Sequence, residues 1–428
     1  MNKFLFGNEK EIGKNCYVWN SLAGLINASE AVVLSMVVTR ITNLGDAGIL
    51  TIAFAIGNLL MTIGKFGVRN YQVTDMDEKN KFADYFYLRI ASVLIMLISS
   101  VGYVIYSVSF LGDSIKKAIV IFCFCSIYMI ESIEDVFWGL YQRKGRLDVG
   151  GRIFSYRWIA TMIIFSLMLF LTKNLMLASI AGFLATLLIS TLLVWKSFPY
   201  FKSSFWNGDK HRVWSLTKQC VSLFLVSFLL FYITNSPKYA LDQFMSDEVQ
   251  ACYGFIFMPV FVIELLNNFL YQPILVKISE EWNEGAIAAF KTRINRQLII
   301  IILLTVICII GAYFLGIPFL SLLYATDLKP YKLDLLILLV GGGMMAIVGF
   351  LSVIMTVMRQ QKQLLYGYVI VAIVAYLVMG YMVKAFGMHG ASVMFMLLIS
   401  LLAFIFGIEV LYYCNKCKRQ KDLQVERK

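Results

Sequence analysis

Long apolar segments separated by short polar stretches run through the whole chain. A helix needs about 20 apolar residues to cross the hydrocarbon core of a bilayer. The pattern therefore predicts an all-α integral membrane protein with twelve transmembrane helices. The predicted spans are Cys16–Thr39, Ala47–Ile63, Ile90–Phe110, Ala118–Leu140, Ile153–Thr172, Leu175–Trp195, Gln219–Thr234, Tyr253–Tyr271, Gln297–Leu315, Leu333–Met358, Leu364–Val383 and Ala391–Tyr413.

The composition supports a membrane location. Hydrophobic residues make up 60% of the 428 residues and charged residues only 15%, whereas soluble domains average about 25% charged residues. So few charges cannot cover the surface of a soluble protein, which excludes a soluble enzyme, a disordered protein and a secreted disulfide scaffold. The eight cysteines are scattered, and the one CxxC pair (Cys414 and Cys417) has no second pair or histidine at metal spacing, so we expect no metal site.

The basic residues are distributed unevenly between the two sides of the predicted membrane. Eight of the 38 Lys and Arg residues lie on one side and thirty on the other. Cytoplasmic loops carry the excess of bases in membrane proteins, so both termini are predicted to be cytoplasmic. Orientation then explains the net charge of +12 without nucleic acid as a partner. The eight outer bases are Arg40, Lys116, Lys117, Lys173, Lys238, Lys329, Lys332 and Lys384.

The predicted spans fall into two sets of six, separated by a basic and aromatic stretch. The predicted divisions are an N-terminal six-helix lobe 1–195, a cytoplasmic linker 196–218, a C-terminal six-helix lobe 219–413 and a basic tail 414–428 suited to anionic lipid headgroups. In both lobes the first outer loop carries a base followed by an acid, Arg40 and Asp46 in one, Lys238 and Glu248 in the other. Parallel six-helix repeats are a known transporter plan, so we expect two bundles around a central cleft.

Ionisable residues inside the spans are candidates for function because burying them in lipid is costly. Glu30 lies in the first span with Asn27 three residues earlier, and Glu264 lies in the eighth span with Asn267 three residues later. These acid–amide pairs predict a polar cleft lining or a site for proton or cation coupling. The alternatives are an interhelical hydrogen bond between packed helices, or a position nearer the membrane interface than the predicted span boundaries give.

A second group of acids occupies one face of the fourth span. Glu131, Glu134 and Asp135 are spaced i, i+3 and i+4, which places them on the same side of a helix. A structural network is favoured over a functional site, because charges near the membrane surface need not be functional. The expected partners are Arg143, Lys144 and Arg146.

Four bases are candidates for binding an anionic cargo. Arg40 and Lys238 lie at the predicted outer mouth of the cleft, and Lys65 and Arg69 lie at the inner mouth. Arginine's planar fork suits a phosphate or diphosphate, and lysine supplies a point charge. For the inner pair, positive-inside anchoring is an equal alternative. For the outer pair, the alternative is an ion pair with Asp46 or Asp242.

Motifs of enzymatic chemistry are missing from the sequence. There is no GxxxxGK[ST] phosphate loop, HExxH metal motif or Ser/His/Asp set. The run Gly341-Gly342-Gly343 lies in the middle of a span, where close helix packing or a kink explains it better than a nucleotide loop. We therefore expect a transporter without a cofactor rather than an enzyme.

Three stretches, together with the spacing of the spans, carry a family resemblance. They are LGDAGILTIAFAIGNLLMTIGKFGVRNYQVTD from Leu44, LYQRKGRLDVGGRIFSYR from Leu140 and NSPKYALDQFMSDEVQACYGFIFMP from Asn235. With these stretches the chain resembles the Wzx-type polysaccharide transporters of the multidrug/oligosaccharidyl-lipid/polysaccharide (MOP) flippase superfamily.

The resemblance implies a bacterial cytoplasmic-membrane protein with two six-helix lobes around a V-shaped cleft. It implies ion-coupled transport, by H+ or Na+, of undecaprenyl-diphosphate-linked oligosaccharide repeat units that enter capsule, O-antigen or exopolysaccharide assembly. Glycosyltransferases and a polysaccharide polymerase are the partners implied by that pathway, besides the membrane lipids. The positions that match the family's substrate-binding bases are Arg40, Lys65, Arg69 and Lys238, although the predicted spans contain almost no Lys or Arg.

Three functions follow as hypotheses, of which a flippase for lipid-linked oligosaccharide leads. A cation-coupled multidrug exporter of the same fold is the alternative, and Glu30 and Glu264 keep it open because its substrates are usually cationic. A membrane-embedded glycosyltransferase or polymerase is disfavoured because the predicted outer loops are short.

Overall fold

The computed structural model describes residues 5–7, 11–75 and 79–426, without the side chains of residues 268–269 and 418–426. Nearly all of these residues are helical, and these ranges contain no strand, which confirms the all-α class. Most of the predicted basic tail 414–428 lies outside the described side chains. Its contact with headgroups therefore stays a prediction.

The chain divides into two compact units, Met1–Phe228 and Leu229–Lys428. The boundary lies within helix α8 (Lys210–Phe244), which begins inside the predicted linker 196–218. The predicted limits of the two lobes, 1–195 and 219–413, stay a prediction.

The helices of unit 1 are α1 Ile12–Ile41, α2 Leu44–Lys65, α3 Val68–Thr74, α4 Phe82–Tyr106, α5 Ile115–Arg143, α6 Leu147–Thr172, α7 Leu175–Ser197 and the first part of α8. Helix α5 is central, because it packs against α2, α3, α4, α6 and α7. Helix α1 packs on α6, and α6 packs on α7.

In unit 2, helix α13 has the corresponding central place and contacts α9, α11 and α14. The long helix α14 is interrupted at Gly387, where φ is 58° and ψ is −137°, so two helices meet there at a kink. Beyond the second part of α8, the helices are α9 Asp247–Tyr271, α10 Leu275–Asn283, α11 Ile287–Gly311, α12 Ile317–Tyr324, α13 Lys332–Val357 and α14 Gln361–Glu426.

Each of the twelve predicted spans lies on a helix. Ten helical stretches of the described chain are long and apolar enough to cross a membrane. Helix α5 is as long as the others but is not among these ten, since it carries three acids on one face. The predicted ninth span is extended at both ends, with α11 starting at Ile287 and α12 continuing to Tyr324, beyond the predicted end at Leu315. The number of spans and the side of each terminus stay predictions.

The run of three glycines in α13 lets three neighbours approach closely, as the sequence predicts. A Cβ added at Gly341 would lie 2.6 Å from the Phe395 ring of α14, and one at Gly343 would collide with Thr305 of α11. A Cβ added at Gly342, between them, would lie 3.2 Å from Val260 of α9. Three successive positions therefore face three different helices, which only residues without a side chain permit at this separation.

A π-helical turn occurs at the same place in each unit. Residues Ser107–Leu111 follow α4, and residues Ala312–Gly316 follow α11. Both turns end the third long helix of their unit and precede the central helix. Short π turns are rare and often mark functional positions.

Candidate functional site

A charged cavity lies within unit 1. It has a volume of about 260 Å³ and is formed by α1, α2, α3, α5 and α6. Helix α5 supplies most of its charge from a single face, which confirms the spacing argument for the three acids. Its lining residues are Asn20, Ala23, Gly24, Asn27, Lys65, Arg69, Glu131, Glu134, Asp135, Trp138 and Phe154.

Glu131 is the most connected acid of the cavity. Its Oε1 accepts a hydrogen bond from Lys65 Nζ at 2.9 Å. Its Oε2 accepts hydrogen bonds from Arg157 Nη2 and Trp158 Nε1, both at 3.2 Å. Arg157 also donates from Nε to Glu134 Oε2 at 2.8 Å, so a single guanidinium joins two of the three acids.

Asp135 is held by two further arginines. Arg89 Nη2 donates to its Oδ2 at 2.6 Å, and Arg69 Nη1 lies 3.5 Å from its Oδ1. Arg89 also donates from Nη1 to the carbonyl of Gly64 at 2.7 Å, which ties α4 to the end of α2. Arg69 reaches Gln142 Oε1 at 2.8 Å, and its guanidinium stacks 4.5 Å from the centre of the Trp138 ring.

The four bases of this cluster differ in how far they reach into the cavity. The side chains of Arg89 and Arg157 are completely buried, whereas 33% of Lys65 and 26% of Arg69 is exposed. The buried arginines therefore compensate the acids from behind, and the two partly exposed bases face the open space. An anionic group in the cavity would therefore meet Lys65 and Arg69, while Arg89 and Arg157 keep the acids neutralised.

The three acids have partners that were not expected from the sequence. The network uses Lys65, Arg69, Arg89 and Arg157. Arg146 instead pairs with Asp148 at 2.9 Å, and that hydrogen bond raises the pKa of the Arg146 guanidinium. Sequence reasoning did not single out Arg89, which lies one residue before a predicted span, or Arg157, which lies within one. The three clustered acids could have indicated these arginines, because buried carboxylates require buried counter-charges.

Glu30 lies next to this network, on α1. Its Oε1 accepts a hydrogen bond from Tyr128 at 2.8 Å, and Asn58 donates to the same Tyr128 hydroxyl at 3.3 Å. Its Oε2 is buried and has no hydrogen-bond partner among the described residues. Asn27 lies one turn earlier, exposed, on the wall of the cavity. The structure therefore brings Glu30, Asn27, Lys65 and Arg69 into one region of unit 1.

Arg40 lies elsewhere in unit 1, exposed in the last turn of α1. Asp46, its proposed partner, forms an ion pair with Lys116. Asp46 lies in the first turn of α2, where its backbone N–H donates to the Asn43 side chain at 2.8 Å. Arg40 is therefore not part of the charged cavity.

Lys238 lies in unit 2, and its predicted place in an outer loop was wrong. Helix α8 continues through Pro237 to Phe244, so Lys238 is on a helix, and only 6% of it is exposed. Its Nζ donates to Asn235 Oδ1 at 3.1 Å and lies 4.7 Å from the centre of the Phe257 ring. The helix continues to Phe244 although Asn235, Ser236 and Pro237 are poor helix formers.

Glu264 and Asn267 of α9 have different surroundings. Asn267 is buried and donates to the carbonyl of Ala346 at 3.1 Å, and Gln297 donates to its Oδ1 at 3.5 Å. It therefore links α9 to α13 and α11, as the interhelical alternative proposed. Glu264 is only partly buried. Among the described residues, no three His, Cys, Asp or Glu side chains converge as metal ligands would.

Comparisons with known proteins agree on the fold. The chain is similar to an inward-facing multidrug resistance MATE family transporter of the MOP superfamily, with 11% identity, a TM-score of 0.69, and coverage of 94% of this chain and 99% of that chain. It is similar to the eukaryotic MATE transporter AtDTX14, with 11% identity, a TM-score of 0.64, and coverage of 96% and 99%. A mutant of the Vibrio cholerae MATE transporter VcmN gives 11% identity, a TM-score of 0.61, and coverage of 95% and 98%.

The sequence itself identifies the family. No curated protein matches it, but residues 13–279 match the family described as Polysaccharide biosynthesis protein. That match extends over more than half of the chain and confirms the resemblance stated from the sequence. The chain, a multi-pass membrane protein with a MATE-like transporter fold, belongs to the polysaccharide biosynthesis protein family.

Proposed function

We propose that this transporter is a flippase for undecaprenyl-diphosphate-linked oligosaccharide repeat units in the bacterial cytoplasmic membrane. A diphosphate and several sugars cannot cross about 30 Å of hydrocarbon without a polar path. The family match supports polysaccharide assembly as the process, and the fold supports alternating access as the mechanism. The observation that carries the proposal is the cavity whose two partly exposed cations are backed by buried arginines.

Lys65 and Arg69 are the proposed contacts for the diphosphate. An arriving phosphate competes with Glu131 for Lys65 and with Asp135 for Arg69. Arg157 and Arg89 remain with those acids, so neither carboxylate is left without a counter-charge when the cargo binds. Arg69 is already oriented by Gln142 and Trp138, which leaves its planar fork suited to two phosphate oxygens.

Glu30 is the proposed ion-coupling residue. One of its oxygens already accepts a hydrogen bond, and the other has a free lone pair that a proton or Na+ can occupy. Asn27 on the adjacent turn offers an amide oxygen at the cavity wall. In unit 2, Glu264 and Asn267 stay predictions for ion coupling, and Arg40 and Lys238 stay predictions for substrate contact.

The experiment is deletion of the gene in its own host. We expect loss of the surface polysaccharide and accumulation of lipid-linked repeat units in the inner leaflet, because the cargo is made but not translocated. The measurement is the amount of lipid-linked repeat unit in membrane extracts, with complementation by the intact gene as the control. Unchanged export of the polymer in a strain without a second flippase would contradict the proposal.

A multidrug exporter is the second candidate. Three acids line the cavity, and a cationic drug would replace Lys65 and Arg69 as their partner. The same deletion strain distinguishes the two functions. Increased sensitivity to cationic dyes, with normal polysaccharide and no stored lipid-linked intermediate, would favour the exporter.

A further inference from the structure

An open pocket of about 630 Å³ lies in unit 2, away from the residues discussed above. It is formed where α11 passes through its π turn into α12 and where α13 begins. Tyr313 and Phe314 of the π turn form one wall, and Ser321 lies on α12. Asp327, Lys329 and Lys332 complete it from the connection to α13.

Neither lysine of this pocket, Lys329 or Lys332, has a carboxylate within ion-pair distance in the part of the chain that the structure describes. The Lys332 ammonium lies 3.7 Å from the centre of the Tyr313 ring. The Asp327 carboxylate accepts a hydrogen bond from the backbone N–H of Lys329 at 3.1 Å, so it serves the turn. The pocket therefore has a surplus of one positive charge.

The corresponding lysines of unit 1 are already paired. Lys116 and Lys117 also follow a π turn, and they lie in the first turn of α5, the central helix of unit 1. Lys116 pairs with Asp46, and Lys117 pairs with Asp113 at 2.9 Å. All four lysines lie on the predicted outer side, where the sequence has few bases, so positive-inside anchoring does not account for the unpaired two.

The surface beside the pocket is apolar and exposed. Phe319 and Leu322 on α12 are 61% and 74% exposed, and Phe314 is 69% exposed. They belong to a helical stretch that is long and apolar enough to cross a membrane, where exposed apolar side chains are expected to face acyl chains. The cationic pocket is thus continuous with a lipid-facing surface at the end of the span.

We propose that this pocket binds the headgroup phosphate of an anionic phospholipid. Lys329 and Lys332 contact the phosphate oxygens, while the acyl chains lie along Phe319 and Leu322. Ser321 Oγ accepts a hydrogen bond from the backbone of Leu328 at 3.2 Å, which leaves its hydroxyl hydrogen to donate to the phosphate. A zwitterionic choline lipid adds a cation beside the two lysines and is bound less well.

The first test is native mass spectrometry of the full-length protein with phosphatidylglycerol or phosphatidylcholine. The double variant Lys329→Gln/Lys332→Gln is compared with Lys384→Gln, an exposed lysine on the same predicted side. We expect affinity for phosphatidylglycerol to fall about 25-fold in the double variant, since each lysine near an anionic surface contributes about a fivefold change. Equal phosphatidylglycerol binding by both variants would overturn the proposal.

A second measurement needs no substitution. The wild-type protein in nanodiscs of phosphatidylglycerol or phosphatidylcholine is treated with an amine-modifying reagent, and each lysine is quantified. We expect Lys329 and Lys332 to be protected in phosphatidylglycerol relative to Lys384, and inorganic phosphate added to phosphatidylcholine nanodiscs to give no such protection. Equal modification in both lipids would refute a phospholipid site, and protection by inorganic phosphate alone would show a simple anion site instead.

Discussion

Arg89 and Arg157 show how completely buried guanidinium groups are accommodated in a membrane protein. Each contacts carboxylates on α5 at 2.6–3.2 Å, and Arg89 also contacts a backbone carbonyl of α2. A buried pair contributes little net stability compared with apolar residues, but removing one partner leaves a buried charge uncompensated. These arginines are therefore positioning residues, and their effect on the cavity is through Glu131, Glu134 and Asp135.

The variant Arg157→Met tests this role at the residue scale. It leaves Glu134 without its counter-charge and removes one of two bases from Glu131, so we expect a loss of about 3–5 kcal/mol of stability. The measurement is the midpoint of thermal unfolding in detergent. Lys144→Met, an exposed base close by in sequence, is the control. The double variant Arg157→Met/Glu134→Gln should recover part of the loss, and a single variant as stable as the control would contradict the network.

The lowered pKa of Asp75, a residue outside the predicted spans, leads us to expect that its contribution to stability depends on pH. Burial raises the pKa of Asp75, but hydrogen bonds from Tyr85, at 2.7 Å, and from Asn80 and Lys79 outweigh it and hold the pKa below its ordinary value. Asp75→Asn should therefore cost about 1 kcal/mol near pH 7. The difference is present above about pH 4 and shrinks as the pH falls through the lowered pKa. A gap in unfolding midpoint between wild type and variant that stays constant from pH 7 to pH 3 would contradict this.

At the residue scale, the sequence predicts which side of a helix a residue lies on better than it predicts that residue's ion-pair partner. The i, i+3, i+4 spacing placed Glu131, Glu134 and Asp135 on one side of a helix, and the structure confirms that face. Their partners come from α2, α3, α4 and α6, and sequence distance alone does not reveal which of these helices pack on α5. Choosing the nearest bases in sequence therefore missed the four bases that the structure brings to these acids.

At the scale of the element, the two central helices use different means of packing. Helix α5 joins its neighbours through buried charges, whereas α13 joins them through glycines. Apolar periodicity locates both helices, because a span requires a long apolar stretch. It does not locate their ends, since α8 and α11 continue into polar residues that remain helical.

The glycines of α13 give an element-scale prediction with a control on the same helix. In Gly343→Ala the added methyl group collides with Thr305, and we expect a loss of about 1–3 kcal/mol. Gly349→Ala meets no atom within 4 Å and should leave stability unchanged or raise it slightly, because alanine favours a helix. Thermal unfolding of the two variants is the measurement. Equal midpoints would show that α11 shifts to accommodate the methyl group.

At the scale of the whole molecule, the proposed transport can be tested by neutralising the cavity. We expect Lys65→Gln/Arg69→Gln to reduce transport of lipid-linked repeat units at least tenfold, because the two cations that face the cavity are lost. The assay is polysaccharide export in the deletion strain complemented with each variant. Lys144→Gln/Lys196→Gln removes the same charge from exposed positions and is the control.

The protein level in the membrane has to be measured in both strains, since the first variant also frees Glu131 and Asp135. Normal export by Lys65→Gln/Arg69→Gln would remove these bases from the mechanism. Export lost in both strains to the same extent would indicate that overall charge, and not the cavity, is what matters.

The joining of α5 and α6 by buried charges also has a consequence for biogenesis. An arginine at the centre of a single helix costs about 2.5–3.5 kcal/mol during insertion by the translocon, and α5 carries three acids of its own. Only residues 144–146 separate the two helices, so they emerge from the ribosome as a hairpin whose acids and arginine can neutralise one another. We therefore expect α5 and α6 to enter the bilayer together, and a chain truncated between them to be retained by the insertion machinery or degraded.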